Sequence, residues 1–348
     1  MTIRVLVVDD SFFMRKLLSD ILNSDSDIEV VDTARNGEEA LEKLKVSKPD
    51  VITLDFVMPV MGGLETLKYI MSEYPTPVVM LSAYTKKGAE VTIDCLDAGA
   101  VGFALKPSGE VSVNIEKIKD EIIEEIKKAS KASVQKIKSI ITRKRIKRFL
   151  EPGAVVKEKV IVIGASTGGP PVLELILSEL PSNLPAAVLI VQHMPKLFTK
   201  FLAERLDRES ELAVKEAQEG DVIEVGNAYV APGDFHMLVE KKEIKGEMKA
   251  VIGLSKSPLV HGLRPSIDVT MKSVAEVYGK NAIGIILTGM GNDGIDGMKA
   301  IKIKHGKTIA QDEATSLIFG MSKKVIESGD ADYIIPVFNI SKEIIQLL

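Results

Sequence analysis

Two groups of residues in this chain carry side chains suited to chemistry. The first is Asp9, Asp10, Asp55, Ser82 and Lys106. Three carboxylates brought together repel one another, so such a group favours a bound divalent cation. Hard oxygen ligands suit Mg2+, which keeps several waters and joins a substrate phosphate. A carboxylate is also a nucleophile able to accept a phosphoryl group. The cation and Lys106 would neutralise charge on the transferring oxygens, and Ser82 would hydrogen-bond the new phosphate. The second group is Ser166 in Gly164-Ala165-Ser166-Thr167-Gly168, His193 in Gln192-His193-Met194-Pro195, and Asp293 in Gly289-Met290-Gly291-Asn292-Asp293-Gly294. A serine hydroxyl needs an imidazole as base, and the imidazole needs a carboxylate to fix its tautomer.

The glycine-rich segment after Ile163 admits other uses. A dinucleotide fingerprint requires glycine where Ser166 stands, and a phosphate loop requires a lysine that is missing. Gly-x-Ser-x-Gly fits a nucleophile elbow, a sharp strand-to-helix turn that exposes a serine. The free N–H groups and positive dipole end of the following helix would face the serine. Pro170 and Pro171 cannot donate, so such donors must come from residues 167–169 or another loop. The order Ser, His, Asp differs from the Ser, Asp, His order of ordinary α/β-hydrolases. Spacing alone leaves the acid open among Asp293, Asp296 and Asp312. His236 is a rival base, whereas His261 and His305 read as surface or loop residues.

Elements that alternate between strand and helix must position these groups. Strands are expected at 3–8, 28–32, 51–54, 78–81 and 101–104, with helices between them, for example at 14–22 and 38–44, and a last helix at 113–128. Regular alternation implies a parallel sheet covered on both faces, a flavodoxin-like (βα)5 domain over residues 1–125. Strands are expected again at 160–163, 187–191, 228–230, 283–287 and 308–310, and helices at 172–180, 199–206, 266–277 and 297–304. A hairpin is expected at 237–252. This second block, 158–348, reads as a doubly wound, Rossmann-like α/β domain with a mainly parallel sheet. In such sheets chemistry collects at the carboxyl ends of the strands, where all the residues above fall.

The 348 residues suit two domains. Net charge divides the chain: residues 1–106 hold 11 basic and 17 acidic side chains, 107–158 hold 13 and 8, and 159–348 hold 21 and 24. The basic excess marks a partly helical linker, 126–157, ending near Pro152-Gly153. Residues 131–148 alone carry eight Lys/Arg and no acid. A nucleic-acid arm is one reading of this run; a solvated linker face is favoured, because no aromatic residues interleave with it. One cysteine, Cys95, excludes a disulfide framework. Four scattered histidines do not form a helix-borne metal motif. Apolar runs are too short to span a bilayer and no signal peptide is visible, so a cytoplasmic protein is expected.

Residues 1–125 resemble the receiver domain of two-component response regulators. The resemblance rests on Val7-Val8-Asp9-Asp10-Ser11, Leu54-Asp55-Phe56-Val57-Met58-Pro59, Met61-Gly62-Gly63, Ser82-Ala83 and Lys106-Pro107. It implies phosphorylation at Asp55. It also implies Mg2+ on Asp10, Asp55 and the Val57 carbonyl with Asp9 in support, and switching through Ser82, Phe103 and Lys106. Residues 158–348 resemble the catalytic domain of the chemotaxis protein-glutamate methylesterases, which also deamidate glutamines. Here the matching segments are 164–170, 192–195, 231–237, Arg264-Pro265-Ser266 with Asp268, 287–294, 310–313 and 319–321. This resemblance implies Ser166, His193 and Asp293 as a triad, and an oxyanion site at the N–H groups of Met290 and the Ser166–Thr167 turn. It further implies methylated chemoreceptor helices as substrate, a chemotaxis histidine kinase as phosphodonor and no cofactor for the hydrolase. A monomer recruited to membrane receptor arrays is expected, with no nucleic-acid partner. Three departures stand beside the motifs: Asp234 and His305 where glycine is common, and Ser322 where proline is. The rivals from other classes are a C-terminal block that only binds a partner or nucleic acid, and a nucleotide-dependent oxidoreductase.

Overall fold

The computed structural model describes residues 2–107, 115–148 and 158–348. They form two compact units, Met1–Thr142 and Arg143–Leu348.

The first unit runs β1 (Ile3–Val8), α1 (Phe12–Asn23), β2 (Ile28–Ala34), α2 (Gly37–Ser47), β3 (Val51–Asp55), α3 (Gly63–Glu73), β4 (Val78–Ser82), α4 (Lys86–Asp97), β5 (Gly102–Leu105), α5 (Ile115–Ala129) and α6 (Val134–Ile141). The sheet is parallel throughout, in the order β2-β1-β3-β4-β5. Every residue of β3 and of β4 is buried, as expected for strands covered on both faces. Ser11, Asn36 and Thr85 cap α1, α2 and α4 with their side-chain oxygens, satisfying N–H groups that a helix start leaves free. The expected last helix begins at 113, but residues 113 and 114 lie outside the described residues. Cys95 is buried in α4, which pushes its thiol up to about 12 and leaves it inert.

Glu125 of α5 lies against Gly102 of β5. Burial pushes its carboxyl up to about 7, against a pull downward from Lys128 and a push upward from Glu124. A carboxyl raised on folding is held neutral, so its contribution is complete below the ordinary value of 4.5 and is lost as pH rises through about 7. Glu125→Gln should therefore leave the melting temperature of this unit unchanged at about pH 4 and raise it at about pH 8. Equal pH dependence in parent and variant melts would show that Glu125 titrates normally.

The second unit runs β6 (Lys159–Ala165), α7 (Gly169–Ser178), β7 (Ala186–Gln192), α8 (Phe198–Glu209), β8 (Ala213–Glu216), β9 (Asn227–Val230), β10 (His236–Ile244), β11 (Glu247–Ser255), α9 (Ile267–Tyr278), β12 (Ala282–Ile286), α10 (Ile295–Ile303), β13 (Lys307–Gln311), α11 (Met321–Glu327), β14 (Tyr333–Ile335) and α12 (Val337–Leu347). Seven parallel strands are ordered β14-β13-β12-β6-β7-β9-β8. The expected hairpin is β10-β11. The short edge strands β8 and β14 and the last helices α11 and α12 are additions to the expected elements, since three- and four-residue edges carry little periodicity. The two left-handed departures from glycine are handled differently. Asp234 (φ 69) pairs with Arg264 at 2.5 Å, whereas exposed His305 (φ 62) simply ends α10. Ser322, in the first turn of α11, donates to the carbonyls of Ile286 and Leu287.

The basic run is solvated only in part: Lys131, Lys138, Lys144 and Lys147 are exposed, whereas Lys136, Arg143, Arg145 and Arg148 are half-buried. Val134, Ile137 and Ile140 of α6 are buried, and residues 143–148 belong to the second unit. The reason lies in α7, which is buried all round yet carries Glu174, with Glu179 at its C-cap. Buried carboxylates require partners. Arg145 and Arg205 meet Glu174 at 2.9 and 3.3 Å. Arg148 meets Glu179 at 3.1 Å and donates to Ser341 Oγ at 2.8 Å, and Ser341 in turn donates to Glu179. Arg143 stacks over Phe338. The expected linker end at Pro152-Gly153 lies outside the described residues. Arg148→Ala should destabilise the second unit by about 3 kcal/mol, because it leaves Glu179 buried and unpaired. A urea titration followed by hydrogen exchange in α7 measures this, and an unshifted midpoint would mean the pair contributes nothing.

Candidate active site

In both sheets the strand order reverses beside the first strand of the unit, and the chemistry-bearing residues gather at that reversal. In the first unit Asp9 follows β1, Asp55 ends β3, Ser82 ends β4 and Lys106 follows β5. Oxygens of Asp9, Asp10 and Asp55 lie within 4.8 Å of one another. Lys106 Nζ reaches Asp9 and Asp55, each at 2.7 Å. Asp9 and Asp55 are buried and Asp10 is exposed. Burial raises the Asp55 carboxyl above the ordinary aspartate range, outweighing the opposing pull of Lys106, and the nearby Asp9 charge adds to the rise. Burial also opposes the charge on Lys106, but its bonds to Asp55 and Asp9 win and hold it above the usual lysine value. Two buried acids and one exposed acid around a single cation form a donor set that suits a hard divalent ion. On the neighbouring strand, Ser82 Oγ lies 2.9 Å from Thr92 Oγ1 of α4. Phe103 is half-buried in β5, and the Val57 side chain is exposed in the loop after β3.

In the second unit Ser166 follows β6, His193 follows β7 and Asp293 lies beyond β12. These are three adjacent strands, in the order β12-β6-β7. Hydrogen bonds lock their loops together. Ser166 N–H donates to Thr288 O at 3.1 Å and His193 N–H to Ala165 O at 3.0 Å. Gln192 Nε2 donates to Ser166 O at 2.9 Å and to His193 O at 3.2 Å. Thr288 Oγ1 donates to Thr167 O at 3.1 Å, while Gln311 Oε1 accepts the Thr288 N–H at 2.8 Å. The glycines permit this crowding. Gly168 adopts φ 77, and a Cβ there would strike Leu317 at 2.4 Å; a Cβ on Gly289 would sit 2.6 Å from Ser166 Cβ. Gly289 thus packs directly on Ser166 and brings Met290 beside it. Among the described residues, the Thr167 and Met290 N–H groups donate to no other protein atom.

His193 Nε2 lies 2.8 Å from Asp293 Oδ2. Asp293 is 1 % exposed and also accepts Ser266 Oγ–H at 2.8 Å and the N–H groups of Ile267 and Asp268 at 2.7 and 3.0 Å. Burial alone would raise its carboxyl. The His193 bond and the N–H donors at the start of α9 outweigh it and hold Asp293 below the ordinary aspartate range. An ionised Asp293 only accepts, so the ring proton of His193 stands on Nε2 and Nδ1 is left as the basic nitrogen. Ser166 is 8 % exposed. Among the described residues no hydrogen bond yet joins its hydroxyl to His193, and such bonds commonly close only with substrate in place.

Of the three acids left open by spacing, Asp293 is the one that meets His193 among the described residues. Asp296 is exposed and pairs with Lys272 at 2.9 Å. Asp312 caps its own turn, accepting the Thr315 N–H at 3.0 Å. Neither meets His193. His236 is not a rival base, because it is fully buried with both ring nitrogens used. Nδ1 accepts the Ser266 N–H at 3.2 Å and Nε2 lies 3.1 Å from Pro258 O. His261 stands on a loop as expected but also meets buried Asp268 at 3.2 Å. His261, Asp268 and Asp293 place ligand atoms within 4.8 Å, yet the carboxylate oxygens are already taken by N–H, hydroxyl and imidazole groups, so the cluster does not read as a metal centre. The supporting roles of Gln192, Thr288, Ser266, Asp268 and Gln311 emerge only from the folded chain. All five lie in segments that carry the family resemblance, and a serine ahead of an apolar helical run also marks Ser266 as an N-cap.

Both units match families of known proteins. Residues 5–116 match the response regulator receiver domain and residues 161–344 the CheB methylesterase family. A protein-glutamate methylesterase/protein-glutamine glutaminase of Pyrococcus abyssi is 49% identical, over 99% of this chain and 93% of the relative. One of Thermotoga maritima is 44% identical over 99% of this chain and 98% of the relative. The crystal structure of the Thermotoga maritima CheB methylesterase catalytic domain aligns along its whole length with 56% of this chain, at 47% identity and a TM-score of 0.53. With a matched receiver ahead of a matched catalytic domain, and relatives aligned along nearly the whole sequence, the chain belongs to the CheB methylesterase family.

Proposed function

We propose that this chain is a phosphorylation-controlled protein-glutamate methylesterase and protein-glutamine glutaminase acting on the cytoplasmic helices of chemoreceptors during chemotactic adaptation. The observation that carries the reading is the pairing of His193 with buried Asp293 on the strand edge that also bears Ser166 in a Gly-x-Ser-x-Gly turn. In this reading Ser166 Oγ attacks the γ-carbonyl carbon of a glutamyl methyl ester while His193 Nδ1 takes the hydroxyl proton. The tetrahedral oxyanion is received by the N–H groups of Thr167 and Met290. His193 returns the proton to the leaving methoxy oxygen, releasing methanol, or to the amide nitrogen, releasing ammonia, when the substrate is glutamine. Water then hydrolyses the acyl-enzyme with His193 again as base. The rival, a C-terminal block that only binds a partner, leaves an oriented histidine on the same edge as Ser166 with no task.

In the receiver, Asp55 would take the phosphoryl group from a phosphohistidine of the chemotaxis kinase. Asp10, Asp55 and the Val57 carbonyl would hold Mg2+, with Asp9 in support. When bound, the ion supplies charge neutralisation at the phosphoryl oxygens. Lys106 would pair with the new phosphate, and Ser82 and Phe103 would shift toward it. Among the described residues no helix is long and apolar enough to cross a membrane, so work at receptor arrays would rest on recruitment. Methanol release from membranes carrying methylated receptors, compared with and without kinase and ATP, tests the whole reading. No methanol in either condition would reject it.

A further inference from the structure

Asp268 and Asp293 each reach across to the start of the other's helix. Asp293, just ahead of α10, accepts the first N–H groups of α9, from Ile267 and Asp268. Asp268, in the first turn of α9, accepts on Oδ1 the N–H groups of Gly294 at 3.0 Å and Gly297 at 2.7 Å, at the start of α10. Helix starts offer unpaired donors and the positive end of a dipole. Two crossed starts can therefore hold together two buried carboxylates that would otherwise repel. Asp268 is 2 % exposed, and its second oxygen meets His261 Nε2 at 3.2 Å.

The segment that carries Asp293 needs such an anchor. Gly291 and Asn292 before it are exposed, and Gly294 after it adopts φ 104, a conformation open chiefly to glycine. The Gly294 N–H is held by Asp268 Oδ1. We propose that Asp268 is a positioning residue of the hydrolase, acting through Asp293: it fixes the turn from which Asp293 orients His193 and places a second anion behind that pair. The proposal rests on Asp293 as the orienting acid. Burial raises the Asp268 carboxyl above the ordinary aspartate range, opposed by the Gly297 N–H, with the Asp293 charge adding to the rise and His261 and Lys272 pulling it down; beyond these, His193 stands behind Asp293, and Asp296 pairs with Lys272 between α9 and α10.

The test is methanol-release kinetics of the full chain across pH. Asp268→Ala frees both N–H groups and loosens the Asp293 turn, so kcat should fall roughly 10- to 100-fold with KM little changed, the scale expected for a small misplacement of catalytic groups. Asp268→Asn keeps an acceptor oxygen for Gly294 and Gly297, so most of kcat should return. It also removes an anion that favours a charged imidazole, so the acidic limb of the kcat/KM profile should move to lower pH. A helix cap with no bearing on the reaction would leave that limb in place, and an unmoved limb in Asp268→Asn overturns the proposal, even where the alanine variant fails to fold. Ser166→Ala in the same assay separates the two levels. Turnover surviving in Ser166→Ala would remove the triad itself; an inactive Ser166→Ala beside Asp268 variants of parental rate and profile would remove only the role of Asp268.

Discussion

Ser166→Ala should lose methyl-ester turnover by a factor on the order of 10⁴ or more while Asp55 still accepts phosphate, and His193→Ala should do the same. The alanine leaves the turn in place, because the turn is held by main-chain bonds to Thr288 and by Gln192 rather than by the serine hydroxyl. The chemistry alone is removed. Asp293→Asn should also fall steeply, for a reason visible in its contacts. The carboxylate accepts four donors, from His193, Ser266, Ile267 and Asp268, and an amide offers one oxygen and a donor group in their place. Either His193 is left in the wrong tautomer or a backbone N–H loses its acceptor, at a cost of about 1–3 kcal/mol. Asp312→Asn is the control, since Asp312 caps a turn and does not meet His193. Near-parental methanol release from Ser166→Ala would end the serine-hydrolase reading. Loss in Asp312→Asn with full activity in Asp293→Asn would mean that the acid is misassigned.

The second large effect is expected in the receiver. Asp55→Asn should abolish labelling by phosphorylated kinase, and chelation of Mg2+ should do so in the parent chain. The amide keeps the volume of the side chain but loses the nucleophilic anion. Lys106 retains its 2.7 Å contact with Asp9, so the unit should stay folded. The loss can therefore be assigned to chemistry. Labelling of Asp55→Asn at the parental rate would place the acceptor elsewhere, and labelling in the presence of excess chelator would remove the cation from the account.

Much of this molecule is legible in the order of its residues. Alternating strands and helices determine two parallel α/β units, because a strand buried on both faces is written as a near-continuous apolar run, as in residues 186–191 of β7. Placement of the reactive residues follows from the same pattern, since a residue just after a strand must lie at the carboxyl edge of its sheet. The sequence by itself therefore determined the fold class of each unit, the edge where chemistry gathers and the residue types present there. Its motifs, read against a known family, supplied the roles now proposed.

Other features depend on which strands become neighbours. β12, β6 and β7 lie side by side although β12 follows β7 by some ninety residues, so only the folded sheet separates Asp293 from Asp296 and Asp312. The same holds for His236, whose sequence context resembles that of a loop base but whose nitrogens are both taken by partners more than twenty residues away. Within the basic run, Lys131, Lys138, Lys144 and Lys147 are exposed as a solvated face requires, but Arg145 and Arg148 pair with Glu174 and Glu179, on and at the end of a helix that local periodicity cannot show to be buried all round. The exchange of carboxylates between α9 and α10 is equally hidden, since each aspartate reads locally as an ordinary residue near a helix start. Charge and hydrogen-bond partners that are distant in sequence are chosen by packing, and for that reason tertiary structure alone decided them.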